Sequence, residues 1–306
     1  EQVCGKLDVP GPLYELGTIF MHNQQWRQAY QSFLRVEQFE PNNSDNMGAL
    51  AYVDSMIGEG QRALERIRKT KARYKELDVP LSEWVILEIQ EAACLISTGQ
   101  EEEALKLMLD VRKSNPQNTG VANMLIRAYI ANKNFSEALF MIDRQLASAP
   151  DNAENIRRKV YCLLGLQRPA EALPLLDGLL RKNPSNNSLR ILRVATLIQM
   201  NLLQQARDEY MAMLEEDQNN LVAILGLAEV SEQMELKDEA IGWFSRALTN
   251  AYILDEEVEV VKKRIEDLKT GAASAPVAEA APEPTPAVEP APAPQPESAL
   301  PAPAGQ

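Results

Sequence analysis

The sequence predicts an all-α solenoid of stacked two-helix repeats, and three observations carry that reading. Alanines recur at Ala29, Ala63, Ala104, Ala138, Ala172, Ala206 and Ala240, with gaps of 34, 41, 34, 34, 34 and 34 residues. A large apolar residue follows four positions after each: Phe33, Ile67, Met108, Ile142, Leu176, Tyr210 and Phe244. Twelve residues after its alanine stands Pro41, Pro116, Pro150 or Pro184, with Gln218 in that place of the sixth unit. Two residues further on come Asn43, Asn118, Asn152, Asn186 and Asn220. A period of this length belongs to arrays in which each helix pair stacks on the next.

Each mark has a physical reason. Two antiparallel helices approach closely only where one side chain is small, and the large residue one turn later packs across the neighbouring unit. Proline stops a helix because its ring excludes the preceding residue from helical geometry. Asparagine starts the next one by accepting from an orphan amide of the first turn. Within a unit, Gly58, Gly99 and polar stretches such as Asn132-Lys133-Asn134 mark the turn between the two helices.

In the first unit these marks extend to Leu13-x2-Leu16-Gly17-x2-Phe20, then Ala29-x3-Phe33 and Pro41. The pattern resembles the tetratricopeptide repeat. The resemblance covers seven units, residues 10–254, after a lead-in of residues 1–9. It implies a right-handed α-α superhelix of about seven repeats with a C-terminal capping helix. Later units depart from the pattern: Ile126, Val160 and Val194 stand where Gly17 does, which should push their helix pairs apart. Pro174 falls inside a second helix and is expected to bend it.

The single gap of 41 residues, between Ala63 and Ala104, holds seven extra residues, about two helical turns. No breaker interrupts Arg62 to Leu77, and Ser82 can start the following helix. The sequence therefore predicts one long, protruding helix here, either the second of unit two or the first of unit three. Arg62, Arg66, Lys69 and Arg73 share one face of it, with Arg68, Lys71 and Lys75 alongside. That face reads as an ordinary solvated surface or, more sharply, as a basic site for an acidic partner, phosphate or anionic membrane.

Residues 255–270 read as a capping helix. Val258, Val261, Ile265 and Leu268 form its apolar stripe, Asp255 can cap it, Glu256 and Glu257 suit its start, and Lys269 and Gly271 suit its end. Residues 271–306 contain ten of the nineteen prolines, four glutamates and no basic or aromatic residue. This segment is expected to be a disordered, extended spacer.

Composition excludes several functions. Net charge is −13, of which −4 belongs to the last 36 residues, so nucleic acid is not an expected ligand of the acidic repeat body. No apolar run approaches 18 residues, so no membrane span is expected. Cys4, Cys94 and Cys162 form no metal or redox spacing and lean towards a reducing, cytoplasmic compartment. A chain opening at Glu1 leaves a processed, exported or membrane-anchored form open. One histidine, His22, and no phosphate loop or nucleophile elbow leave no catalytic residue, metal site or cofactor to expect.

What remains is binding of another protein. In tetratricopeptide arrays the first helices of successive units line a concave groove, and the resemblance implies that this is the ligand surface. Counting from the alanines, its residues are Tyr14, Tyr52 and Met56, then Asn123, Arg127, Arg157, Arg158 and Tyr161. Ile191, Leu192 and Ile198 follow, with Glu229 and Glu232 at the end. Apolar residues beside paired arginines suit an extended or helical peptide with acidic groups, unless the arginines only pair with neighbouring glutamates. The Lys, Asn, Asn, Lys, Arg constellation with which co-chaperone relatives grip a C-terminal carboxylate is not matched. The expected function is a scaffold or adaptor in assembly of a multiprotein complex. The alternatives are an export chaperone of the secretion apparatus or cell envelope for an apolar client, and a non-catalytic regulatory subunit of an enzyme.

Overall fold

The computed structural model describes residues 9–80 and 84–271, and among these it contains fifteen α-helices and no strand. The chain divides into two compact units, one through Met141 and one from Ile142. The first contains α1 (Pro10–His22), α2 (Trp26–Phe39), α3 (Ser44–Met56), α4 (Gly60–Glu76), α5 (Val85–Ser97), α6 (Glu101–Ser114) and α7 (Thr119–Ala131). The unit boundary falls inside α8 (Phe135–Ser148). The second unit continues with α9 (Ala153–Gly165), α10 (Pro169–Lys182), α11 (Asn187–Gln199), α12 (Leu203–Glu216), α13 (Leu221–Gln233), α14 (Lys237–Ala247) and α15 (Asp255–Thr270). The expected helix start at Ser82 and the Pro/Ala/Glu tail lie outside the described residues, as does nearly all of the 1–9 lead-in.

The alanines are sealed inside the helix packing. All seven have 0% of their surface exposed, and the large residues one turn on, from Phe33 to Phe244, are buried too. Asn43, Asn118, Asn152, Asn186 and Asn220 each cap a first helix, accepting from the backbone N–H three residues on at 2.9–3.1 Å.

The turn inside each pair is built by a device that composition does not reveal. Gln24, Gly58, Gly99, Lys133, Gln167, Asn201 and Glu235 each lie five residues before an alanine, and all have φ between 57° and 86°. The following residue's N–H then reaches back five residues to close the first helix, as Gln25 does to Phe20 and Arg168 to Leu163, both at 2.8 Å. Two of the seven are glycines; the other five bear the steric cost of a left-handed conformation.

Gly17 explains the first unit's motif, because a Cβ there would stand 2.6 Å from Cε1 of Phe33. In the sixth unit Val194 fills that place. The Tyr210 ring instead occupies room left by Gly226 in the next unit, where a Cβ would overlap it.

The 41-residue gap differs from expectation. Three of its seven extra residues lengthen α4, which has 17 residues against 14 in α2. The other four lengthen the connection to α5, because Leu77 closes α4 and Asp78 takes φ 52°. The long helix is thus the second of unit two, extended by about one turn and not two. α10 runs unbroken from Pro169 through Pro174 to Lys182.

α15 packs on α14, with Val261, Ile265 and Leu268 joining Ala228, Ala240 and Phe244 in one apolar cluster. Its first turn is closed by the Glu257 carboxylate, which accepts from the Leu254 N–H at 2.9 Å. Gly271 ends it at φ 71°.

Two stability changes are expected. Ala172→Leu overpacks a seat with no free volume and costs about 1–3 kcal/mol, whereas Ala147→Leu on the exposed side of α8 costs nothing measurable; paired thermal melts check this. Lys133→Gly raises the melting temperature and Gly99→Val lowers it, each by an amount worth roughly 1 kcal/mol.

Candidate functional site

Residues 34 apart occupy the same place on successive first helices. In the second unit one such set is Arg157, Ile191 and Leu225 on α9, α11 and α13; the next is Tyr161, Ala195 and Glu229. All six are half-buried. Ile191, Ile198 and Leu225 rest their inner sides on the cluster of Val194, Leu197, Ile224 and Leu227 and leave an apolar side accessible. Val222, on the same helix as Leu225, is 48% exposed.

The remaining sequence-predicted residues are distributed differently from expectation. Tyr14, Tyr52, Asn123 and Arg127 belong to the first unit. Tyr52 is 4% exposed and meets Trp26 edge-on, with ring centroids 6.2 Å apart; it is core, not ligand surface. Tyr14 leans on Phe33, and burial pushes the hydroxyls of Tyr14 and Tyr52 up to about 12. Met56 likewise packs against the core around Tyr52. Arg158 and Leu192 lie one residue beyond the exposed set, in the register where Gly226 receives Tyr210 from the preceding unit. Arg158 is accordingly buried. Leu192 is half-buried, as Ile191 is.

The arginine pair shares one carboxylate within its own helix, which offsets half of its charge. Arg157 holds Glu154 through two nitrogens at 2.8 and 3.0 Å, and Arg158 Nε reaches the same carboxylate at 3.0 Å. An arriving acidic group therefore meets one net positive charge where two were expected. The same happens on the basic face of α4. Asp54, wholly buried on α3, accepts from Arg62 at 2.7 Å and Arg66 at 2.8 Å, and Arg66 also binds Glu37 of α2 at 2.6 Å. Arg73 pairs with Glu76 and Lys71 with Glu91, which leaves Arg68, Lys69 and Lys75 as the exposed basic groups.

The feature sequence reasoning missed is a cleft of about 270 Å³ between α13, α14 and α15. Leu225, Phe244 and Val261 form its floor, and Val260, 55% exposed, its apolar rim. Glu229, Glu256, Glu257 and Arg264 supply its charges. Arg264 is held by Glu232 at 2.8 Å, both being only 14% exposed. Burial raises the Glu229 carboxyl above its usual range; Arg264 opposes that shift and Glu232 adds to it. Tyr210, beneath the same carboxylate, is pushed up to about 12 by its own burial and then by Glu229. Only the 34-residue register pointed to Glu229; its cleft depends on where α15 docks.

Other chemistry is sparse. Burial pushes the thiols of Cys94 and Cys162 up to about 12, so both stay protonated. Among the described residues no group of three or more His, Cys, Asp or Glu side chains could hold a metal ion. No described helix is long and apolar enough to cross a membrane.

The tetratricopeptide-repeat family model matches residues 95–158 and 163–221. Over these residues the chain is built of tetratricopeptide repeats. Its fold is similar to that of a tetratricopeptide repeat protein from Parabacteroides merdae, 16% identical, with 85% of this chain and 98% of that one covered at a TM-score of 0.62. Looser likenesses include a thermophilic repeat protein of Thermus thermophilus, at 20% identity, 60% and 97% coverage and a TM-score of 0.44. MamA of MSR-1 is 21% identical, with 59% and 97% coverage and a TM-score of 0.44. The first shows a shared fold. No curated protein sequence matches.

Two measurements test these environments. Asp54→Ala leaves two arginines without their shared buried partner and costs about 3 kcal/mol in chemical denaturation. Glu229 binds its proton more tightly in the folded chain than in the unfolded one. Its contribution to stability therefore falls as pH rises from the unfolded to the raised folded value and stays low above it. Glu229→Gln should melt higher than wild type at pH 7, with the gap closing towards pH 4. Arg264, Glu232, Glu256, Glu257 and Tyr210 are the titratable groups around it.

Proposed function

We propose that this protein is a non-catalytic scaffold that holds a segment of another protein along the first helices of its second unit. The observation that carries the reading is the half-exposed apolar series Ile191, Ile198 and Leu225 with Val222 on α11 and α13, in which Ile191 and Leu225 hold the same repeat position. An apolar row interrupted by polar groups suits a segment docked along it, the apolar residues supplying affinity and the polar ones register. The fold adds support, since first helices line the ligand surface in tetratricopeptide arrays. Arg157 contributes charge at one end only by exchanging Glu154 for an acid of the partner. The arrangement offers no activated nucleophile or acid–base pair, and in that respect it suits a binding module better than an enzyme.

The test is an affinity purification from the source cells with three baits. Wild type and Met211→Asp, which places a charge on the exposed side of the second helix α12, should retain the same partner. Ile191→Asp combined with Ile198→Asp should lose it at least tenfold by quantitative mass spectrometry, with helical content by circular dichroism unchanged. Equal retention by all three baits would refute this surface.

A further inference from the structure

The scaffold reading leaves unsaid what lies at the far end of the apolar row, and the cleft against α15 specifies it. We infer that this cleft receives a lysine or arginine side chain of the partner segment, its aliphatic stem on Leu225, Phe244 and Val260 and its charge against Glu229. The inference rests on the scaffold reading, which supplies the segment.

Volume, lining and charge agree on this occupant. The cleft, about 270 Å³, is roughly nine times the ~30 Å³ share of one liquid water, which suits one long side chain. Its floor and rim are apolar, a surface along which the stem of lysine or arginine packs while its head stays polar. The charges facing the cleft are three carboxylates, Glu229, Glu256 and Glu257, against Arg264 alone. Arg264 is already committed to Glu232 at 2.8 Å, and Glu257 is engaged by the Leu254 N–H at 2.9 Å. A cation entering beside Glu229 supplies the countercharge that this half-buried carboxylate lacks, and a charge-assisted bond there replaces lost hydration. Burial raises the Glu229 carboxyl, and Arg264 only partly opposes that shift.

Other occupants fit poorly. An acidic segment would bring like charge to the carboxylates. The chain's own residues 271–306 contain four glutamates and no lysine or arginine, so they lack the complementary charge as well.

The experiment pans a random phage-displayed peptide library on the full chain and measures synthetic copies of the selected peptides by fluorescence anisotropy. Selected peptides should carry lysine or arginine beside apolar residues. Replacing that residue by norleucine, which keeps the stem and removes the charge, should weaken binding by about tenfold or more. Glu229→Gln, expected to fold at least as stably as wild type, should weaken the basic peptide similarly and remove its advantage over the norleucine form. Ile191→Asp with Ile198→Asp should abolish binding of both forms. Peptides indifferent to norleucine, or unchanged affinity in Glu229→Gln, would overturn the basic pocket. If Ile191→Asp with Ile198→Asp still abolished binding, the scaffold surface would stand without that pocket. Binding indifferent to the isoleucine change, or a library yielding no binder, would count against both.

Discussion

The seven alanines with no exposed surface set the closest approach of every helix pair, and the rest of the packing is arranged around that distance. A larger side chain at any of them would separate the pair and move the residue one turn later, which is buried against the same seam. Volume is then redistributed locally. Gly17 gives up its side chain so that the Phe33 ring can lie within its own unit. Where Val194 takes that place, the large ring of Tyr210 is received one unit on by Gly226. The total stays near close packing while the seat of the ring changes. The same small-residue economy that stacks the units thus shapes the neighbourhood of Glu229.

Charges obey a second consequence of stacking. Facing helices of adjacent units bring residues about one repeat apart into contact, and the ion pairs follow that spacing. Arg66 meets Glu37, Arg207 meets Glu239 and Arg264 meets Glu232, all within 2.6–2.8 Å. Arg190, only 5% exposed, is held by Glu209 and Glu216 of the following helix. Pairs of this kind add little net stability once desolvation is counted, but each is specific to one alignment of neighbouring units. Together with the pairs inside single helices and single repeats, ion pairs hold at least ten of the eighteen arginines, leaving fewer cations for ligands than the sequence suggests.

This explains what could and could not be read from the sequence. Alanine seats, asparagine caps and the proline ends of helices are local devices, and each carries its signal within a few residues. The left-handed turn residues were legible only at Gly58 and Gly99. Elsewhere Gln24, Lys133, Gln167 and Glu235 accept the strained conformation because the helices they join are already fixed by packing. The site was less legible still. Nothing near Arg157 and Arg158 distinguishes a ligand grip from the shared bond to Glu154, and nothing near Tyr52 shows that Trp26 covers it. Register did pick out Ile191 and Glu229, but the place alone does not set exposure: Tyr52, in the register of Tyr161 and Glu229, is core.

Glu229 shows where stability and binding diverge in this chain. A half-buried carboxylate without its own cation lowers stability at neutral pH, and glutamine would fit the same space without that penalty. Structural ion pairs elsewhere avoid the problem by matching charges, as Asp54 does with two arginines. The mismatch beside α15 becomes useful if the missing charge arrives with a partner. The long-range field points the same way: on a chain of net charge −13 an acidic segment must approach against repulsion, while a basic one is drawn in. The paired arginines suggested an acidic ligand; with half of their charge offset by Glu154, the chemistry beside Glu229 and the overall charge favour the opposite sign.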